Sequence, residues 1–223
     1  MLAKKKQESF KRVKAHTVYK LKDGTRVPGA TTVLGVLNKG DGLIHWAWDL
    51  GMQGIDWRKY RDATADVGTL AHYLVEQHLR GEEPDLSTYS QEFIDKAYNS
   101  FRKYLDWEKE NDVETIFVES PLVSEKYKYG GTIDCYAKVN GKLTLLDLKT
   151  SKTIYPTMIM QLAAYRKLLL EHGYKVQKTM ILRIGRTEEE GFEVHVGKKL
   201  NKYWKIFQNC LNIYNLKKEL KIK

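Results

Sequence analysis

The sequence predicts an α/β fold, a mixed central β-sheet flanked by helices with a helical region ahead of it, on three observations. Apolar residues recur near every 3.6 positions across residues 43 to 110. From about Thr115 the pattern changes to strand-like runs. A single helix-forming stretch then separates those runs from two further strands. At 223 residues the chain is read as one domain, with an N-terminal segment and helical region at 1–110, an α/β core at 111–198 and a basic helix at 199–223.

Taken in order, the opening run MLAKKKQESFKRVK is a block of charge, read as a solvated tail or an arm that lies along phosphates. Asp23-Gly24 then marks a turn between two short strand-like runs, and Thr31 or Thr32 is expected to cap a short helix. GTLAHYLVEQHL and SQEFIDKAYNSFRKYLDWEKE carry the helical period, with GEEPDLS as the loop between them. TIFVESPLVS and GGTIDCYAKVNGKLTLLDLKTS supply three strands. A helix is expected from Pro156, a favoured first-turn residue, to Gly173, a natural stop. QKTMILRIGR and FEVHVG read as strands, and a last basic helix runs from about Lys199 to Lys218.

Asn140-Gly141 is the strongest local signal, because both central residues of a type I′ turn need positive φ. With these two as the loop, Val139 faces Lys142, Tyr136 faces Leu145, Asp134 faces Asp147 and Thr132 faces Lys149. Opposed Cβ atoms lie about 4.5 to 5.5 Å apart, where like charges repel, and the flanks are too apolar for water to relieve this. A shared proton, the nearby Lys149 cation or a bound metal ion would offset the repulsion. Hard divalent ions such as Mg2+ or Mn2+, which take carboxylate oxygens and keep waters, suit paired aspartates best. A register displaced by a bulge is the alternative, with each aspartate in its own surface ion pair.

Composition narrows the partners. With 38 Lys+Arg against 28 Asp+Glu the net charge is +10, which favours a polyanion. No apolar run approaches a membrane span, and the basic N-terminus is not followed by the apolar stretch of a signal peptide, so a cytoplasmic protein without membrane contact is expected. Cys135 and Cys210 are the two cysteines; they exclude a four-cysteine zinc or iron–sulfur site and fit a reducing compartment.

Two helices bear on the acidic hairpin. His72 and Glu76 share a helical face, and Gly68-Thr69 allows close approach of that segment; Gln161 and Tyr165 share a face of the later helix. A Gly-Thr-x-x-His helix, a Gly-Gly-Thr-Ile-Asp strand, an Asp-x-Lys strand thirteen residues on and Gln-x-x-x-Tyr on the next helix stand in that order. The combination resembles the RecB-like branch of the PD-(D/E)XK nuclease superfamily, with its compact phage and mitochondrial exonucleases. The resemblance covers Gly68 to Arg186, and DGTRVPGATTVL also looks like the segment ahead of the core in those enzymes.

The resemblance implies a restriction-endonuclease-like core and a Mg2+- or Mn2+-dependent DNA exonuclease using one or two ions, of phage or bacterial recombination and repair type. An endonuclease of the same superfamily and a non-catalytic DNA-binding relative are the alternatives. It implies His72, Asp134, Asp147 and the Leu148 carbonyl as metal ligands, Asp134, Asp147 and Lys149 as the catalytic set, and Gln161 and Tyr165 as supporting or DNA-contacting residues. Glu76 and Glu119 are further supporting candidates, and Arg183 a candidate phosphate contact. No P-loop pattern appears, so any helicase or recombinase activity would belong to a separate partner; a single-strand-binding protein is a further candidate partner.

Overall fold

The Asn140-Gly141 turn anchors the architecture, with φ of +49° and +77° at its two residues. The computed structural model describes residues 17–37 and 40–222, so the opening charge run lies outside the described residues. A two-stranded hairpin comes first, β1 (Tyr19–Lys20) and β2 (Arg26–Val27), turning at Asp23-Gly24, followed by α1 (Ala30–Leu34). Then come α2 (Gly40–Met52), α3 (Trp57–Arg80) and α4 (Gln91–Lys109), a meander of β3 (Val113–Ser124), β4 (Tyr129–Val139) and β5 (Lys142–Lys149), and α5 (Pro156–Glu171). β6 (Lys178–Ile184), β7 (Phe192–Val196) and α6 (Leu200–Glu219) complete the chain.

β3 to β7 form a five-stranded mixed sheet in sequence order. Every pair is antiparallel except β5 with β6, which run parallel because α5 carries the chain back across one face between them. α1, α5 and α6 cover that face, packing Val33, Leu162, Leu168 and Phe207 against Ile133, Leu145 and Ile181. α3 and α4 cover the other, where Val75, Tyr104 and Trp107 meet Cys135, Leu146 and Leu182. The chain is therefore an α/β protein with helices on both sides of one sheet.

Two local expectations are corrected. Thr31 and Thr32 lie inside α1, and Gly29 takes the cap position because its backbone pairs with Gly130 of the sheet. Tertiary docking, not a capping hydroxyl, sets where that helix starts. The β4–β5 ladder keeps the predicted register from Val139↔Lys142 to Cys135↔Leu146 and ends there, so Asp134 and Asp147 do not face each other as a paired rung.

The reason lies in the pleat. Ile133 packs on the α5 side and Cys135, two residues on, packs on the α3–α4 side; β3 does the same, with Leu122 on the first face and Val118 on the second. Strict alternation would keep each of these pairs on one face. The reversal falls at Glu119 and Asp134, and on β3 it coincides with a left-handed φ of +47° at Glu119.

Candidate functional site: a histidine and two carboxylates beside a buried ion pair

β4 reaches the site between two aromatic rings. A Cβ on Gly130 would stand 2.3 Å from the Tyr19 ring, and one on Gly131 would stand 2.4 Å from the Tyr165 ring. The two glycines therefore let β1 and α5 close on the strand from opposite sides. Thr132 shares a 2.9 Å hydrogen bond with the Tyr19 hydroxyl, and Asp134 follows two residues later. Tyr19 was not among the sequence-predicted site residues; the small-residue run Gly130-Gly131-Thr132 was its only trace.

α3 closes the other side. A Cβ on Gly68 would meet Thr150 Oγ1 at 2.6 Å, so this glycine brings the helix down onto the end of β5 and presents His72 to the pleat reversal. There His72, Glu119 and Asp134, all half-buried, converge with one donor atom each within 4.8 Å of one another. His72 Nδ1 lies 4.0 Å from Asp134 Oδ2. The same Asp134 oxygen accepts a 2.8 Å hydrogen bond from the Leu148 backbone N–H, left without a rung where the ladder ends. One imidazole and two carboxylates are a mixed nitrogen and oxygen set that suits Mn2+ and, with waters completing the shell, Mg2+.

Asp147 and Lys149 form a separate arrangement beside this group. Asp147 is fully buried, and Lys149 Nζ approaches its Oδ2 to 2.6 Å. Both carboxylate oxygens are buried, and among the described residues no donor other than the Lys149 ammonium reaches them. Burial holds the Asp147 carboxyl above the usual carboxylate range; Lys149 pulls it down and Asp134 pushes it further up. Burial works against the Lys149 charge too, but Asp147, Asp134 and Glu119 together hold its pKa above the ordinary lysine value. A buried carboxylate with a single ammonium partner, next to three converging side chains, fits a divalent cation, whose charge would favour the ionised form.

The remaining predicted residues are placed as follows. Gln161 donates a 2.7 Å hydrogen bond to the Tyr165 hydroxyl. The buried Tyr165 phenol is held well above its ordinary pKa by burial first and then by Asp134 and Asp147, so this pair supports the site from α5. Glu76 is turned to Arg80 at 3.0 Å and, with Thr69, Tyr73, Glu119, Pro121 and Thr132, lines a groove of about 310 Å³ that opens beside the ligand group. Arg183 is buried and occupied by Glu193, at 3.0 Å, and the Glu190 carbonyl, so it is not presented to a phosphate in that groove. Glu119, expected only to support the site, supplies one of the three converging donors, whereas Asp147 is turned to Lys149 and Leu148 contributes its N–H.

Both cysteines are buried free thiols, and burial, with Asp134 and Glu108 adding to it, pushes Cys135 up to about 12, which leaves it inert. Among the described residues no helix is long and apolar enough to cross a membrane. In comparisons with known proteins, no protein-family model matches the chain and no curated protein matches it.

Proposed function

We propose that this chain is a divalent-cation-dependent deoxyribonuclease with a restriction-endonuclease-like core, acting as an exonuclease on DNA. The observation that carries the reading is the convergence of His72, Glu119 and Asp134 at a groove, with the buried Asp147–Lys149 ion pair beside them. The β3–β4–β5 meander, the α5 crossover and the parallel β6 support the fold assignment. The resemblance drawn from the order of the motifs supports the chemistry.

His72, Glu119 and Asp134 would hold Mg2+ or Mn2+, with Asp147 available as a further carboxylate. When bound, the cation supplies Lewis acidity toward a phosphoryl oxygen and toward water. The chain's own residues do the positioning. Lys149 holds fixed positive charge beside the ligand group, where negative charge builds on a phosphate under attack by water. The Leu148 N–H fixes Asp134, and the Gln161–Tyr165 pair closes the α5 side against water. The net charge of +10 favours a polyanionic substrate.

End-labelled linear DNA and closed circles, single- and double-stranded, should be incubated with Mg2+, Mn2+ or EDTA, using wild type and Lys149→Ala. The expected result is cation-dependent loss of linear DNA that spares circles and disappears in the variant. Cutting of circles would replace the exonuclease by an endonuclease of the same chemistry. Intact DNA with retained binding would remove the nuclease reading and leave a DNA-binding relative.

A further inference from the structure

The two outer strands of the sheet are built differently. β3 carries features that keep a strand edge from pairing with another chain: a register shift between Thr115 and Phe117, the left-handed Glu119, and Pro121. β7 carries no such feature across Phe192–Val196. Its register with β6 runs unbroken from Ile184↔Phe192 to Met180↔Val196, it contains neither lysine nor proline, and its one acid, Glu193, is turned back to Arg183 of β6 at 3.0 Å. Among the described residues, β6 is the main element that packs against β7.

The backbone groups of this outer edge fall in a definite order. The Gly197 N–H donates to the Thr179 carbonyl, and the Gly185 N–H donates to the Gly191 carbonyl, so both ends of β7 are bonded across to β6. Antiparallel pairing alternates. Glu193 and His195 therefore also turn their peptide groups toward β6, and Phe192, Val194 and Val196 turn theirs outward. The side chains of these three stand beside Ile184, Leu182 and Met180 on the α3–α4 side of the sheet and are 38, 37 and 39% exposed. One edge thus offers both N–H and C=O groups for another strand and an apolar row to pack beside it.

The occupant that fits this edge is the same edge of a second copy. Placed antiparallel about a twofold axis at Val194, Val194 faces its own counterpart, Phe192 faces Val196 of the second copy, and on the other face Glu193 meets His195. The residues set opposite one another along the apolar row are the three whose peptide groups point outward, so the hydrogen-bonding register and the side-chain register agree. Beyond the strand, the acidic turn Glu188-Glu189-Glu190 comes beside Lys198 and Lys199 of the second copy. A parallel arrangement would set acid against acid and base against base. We propose that β7 is a homodimerisation edge, at which two copies pair antiparallel and join their five-stranded sheets into one continuous sheet. The proposal is independent of the nuclease reading, and its test needs no catalysis.

Sedimentation velocity of the full chain, from low micromolar to near-millimolar concentration, should show a monomer–dimer equilibrium that saturates at the dimer. Val194→Lys sets two ammonium groups opposite each other on the axis and should raise the dimer Kd by at least about tenfold. Val194→Ile keeps an apolar β-branched residue and should leave the Kd nearly unchanged. Far-UV circular dichroism identical to wild type separates a lost interface from a lost fold. A covalent readout comes from Val194→Cys, because directly opposed hydrogen-bonded residues have Cα atoms about 5.5 Å apart, within disulfide reach. Cys135 and Cys210 are buried, so mild oxidation should yield a disulfide-linked dimer through residue 194. Ile116→Cys, at an exposed position on the opposite edge strand, should not.

A monomer throughout, a dimer whose Kd is unaltered by Val194→Lys, or equal disulfide yields from Val194→Cys and Ile116→Cys would each overturn the proposal. So would growth beyond the dimer, since a twofold pairing of these edges uses both and closes.

Discussion

Replacing Glu119 by glycine and, separately, by alanine isolates the backbone from the carboxylate. Both substitutions remove the side chain's repulsion from Asp134 and its attraction to Lys149, so those contributions cancel in the comparison. What remains is the left-handed backbone, φ +47°, which costs a residue with a Cβ about 1–2 kcal/mol and glycine almost none. Glycine's greater freedom in the unfolded chain returns about 0.5–1 kcal/mol of that. Glu119→Gly should therefore be more stable than Glu119→Ala by about 1 kcal/mol, or roughly 2–4 °C in Tm for a chain of this length. Thermal unfolding followed by circular dichroism in EDTA reads the difference. Repeating it in millimolar Mn2+ reads the ligand role: wild type should gain Tm by mass action, and both variants should lose most of that gain. Alanine equal to or above glycine would refute the strained reversal. A wild-type Mn2+ shift in both variants would remove Glu119 from the ligand group.

Three other outcomes are expected. Lys149→Met strips the cation from a buried carboxylate, and breaking such a pair costs about 3–5 kcal/mol; urea unfolding should show the loss larger at pH 8 than at pH 6, because the buried Asp147 takes up a proton as pH falls. Gly131→Ala drives a Cβ to 2.4 Å from Cε1 of a packed tyrosine and should cost about 1–3 kcal/mol in the same assay. At the β6–β7 turn, burial works to raise the Glu190 pKa, but hydrogen bonds and charge from Arg186 win and hold it below the usual carboxylate value. A depressed folded pKa gives stability that is present above the unfolded value and lost as pH falls through the folded one. Glu190→Gln should therefore flatten the acid side of the Tm-against-pH curve and leave its slope above pH 6 unaltered.

Where structure is decided locally, the residues announced it. Asn140-Gly141 fixed the hairpin and its first rungs, Pro156 and Gly173 bracketed α5, and the 3.6 period marked the helical region. Distant parts of the chain decided what was missed. Gly29, not Thr31 or Thr32, heads α1 because Gly130, a hundred residues away, holds its backbone. The ladder between β4 and β5 stops short because the pleat reverses, and nothing in the alternation of VESPLVS or GGTIDCYA marks a glutamate in left-handed conformation. For the same reason Glu119 read as a supporting acid when its donor atom stands with those of His72 and Asp134. Arg183 looked available because its partners, Glu190 and Glu193, meet it only once β7 has folded back.

The Leu148 amide has a use of its own. The β4–β5 rungs behind it pair with carbonyls, whereas this proton is held by the Asp134 carboxylate. Its nitrogen and proton resonances therefore report on the charge and orientation of one side chain. In a ¹⁵N-correlated spectrum this cross-peak should move on addition of the diamagnetic ion Mg2+, while the peaks of Thr144 and Leu145 stay nearly still. Its exchange with deuterium should slow once the carboxylate is fixed from its other side. The chain thus carries a built-in label at the candidate site, readable without a substrate, a chromophore or a substitution.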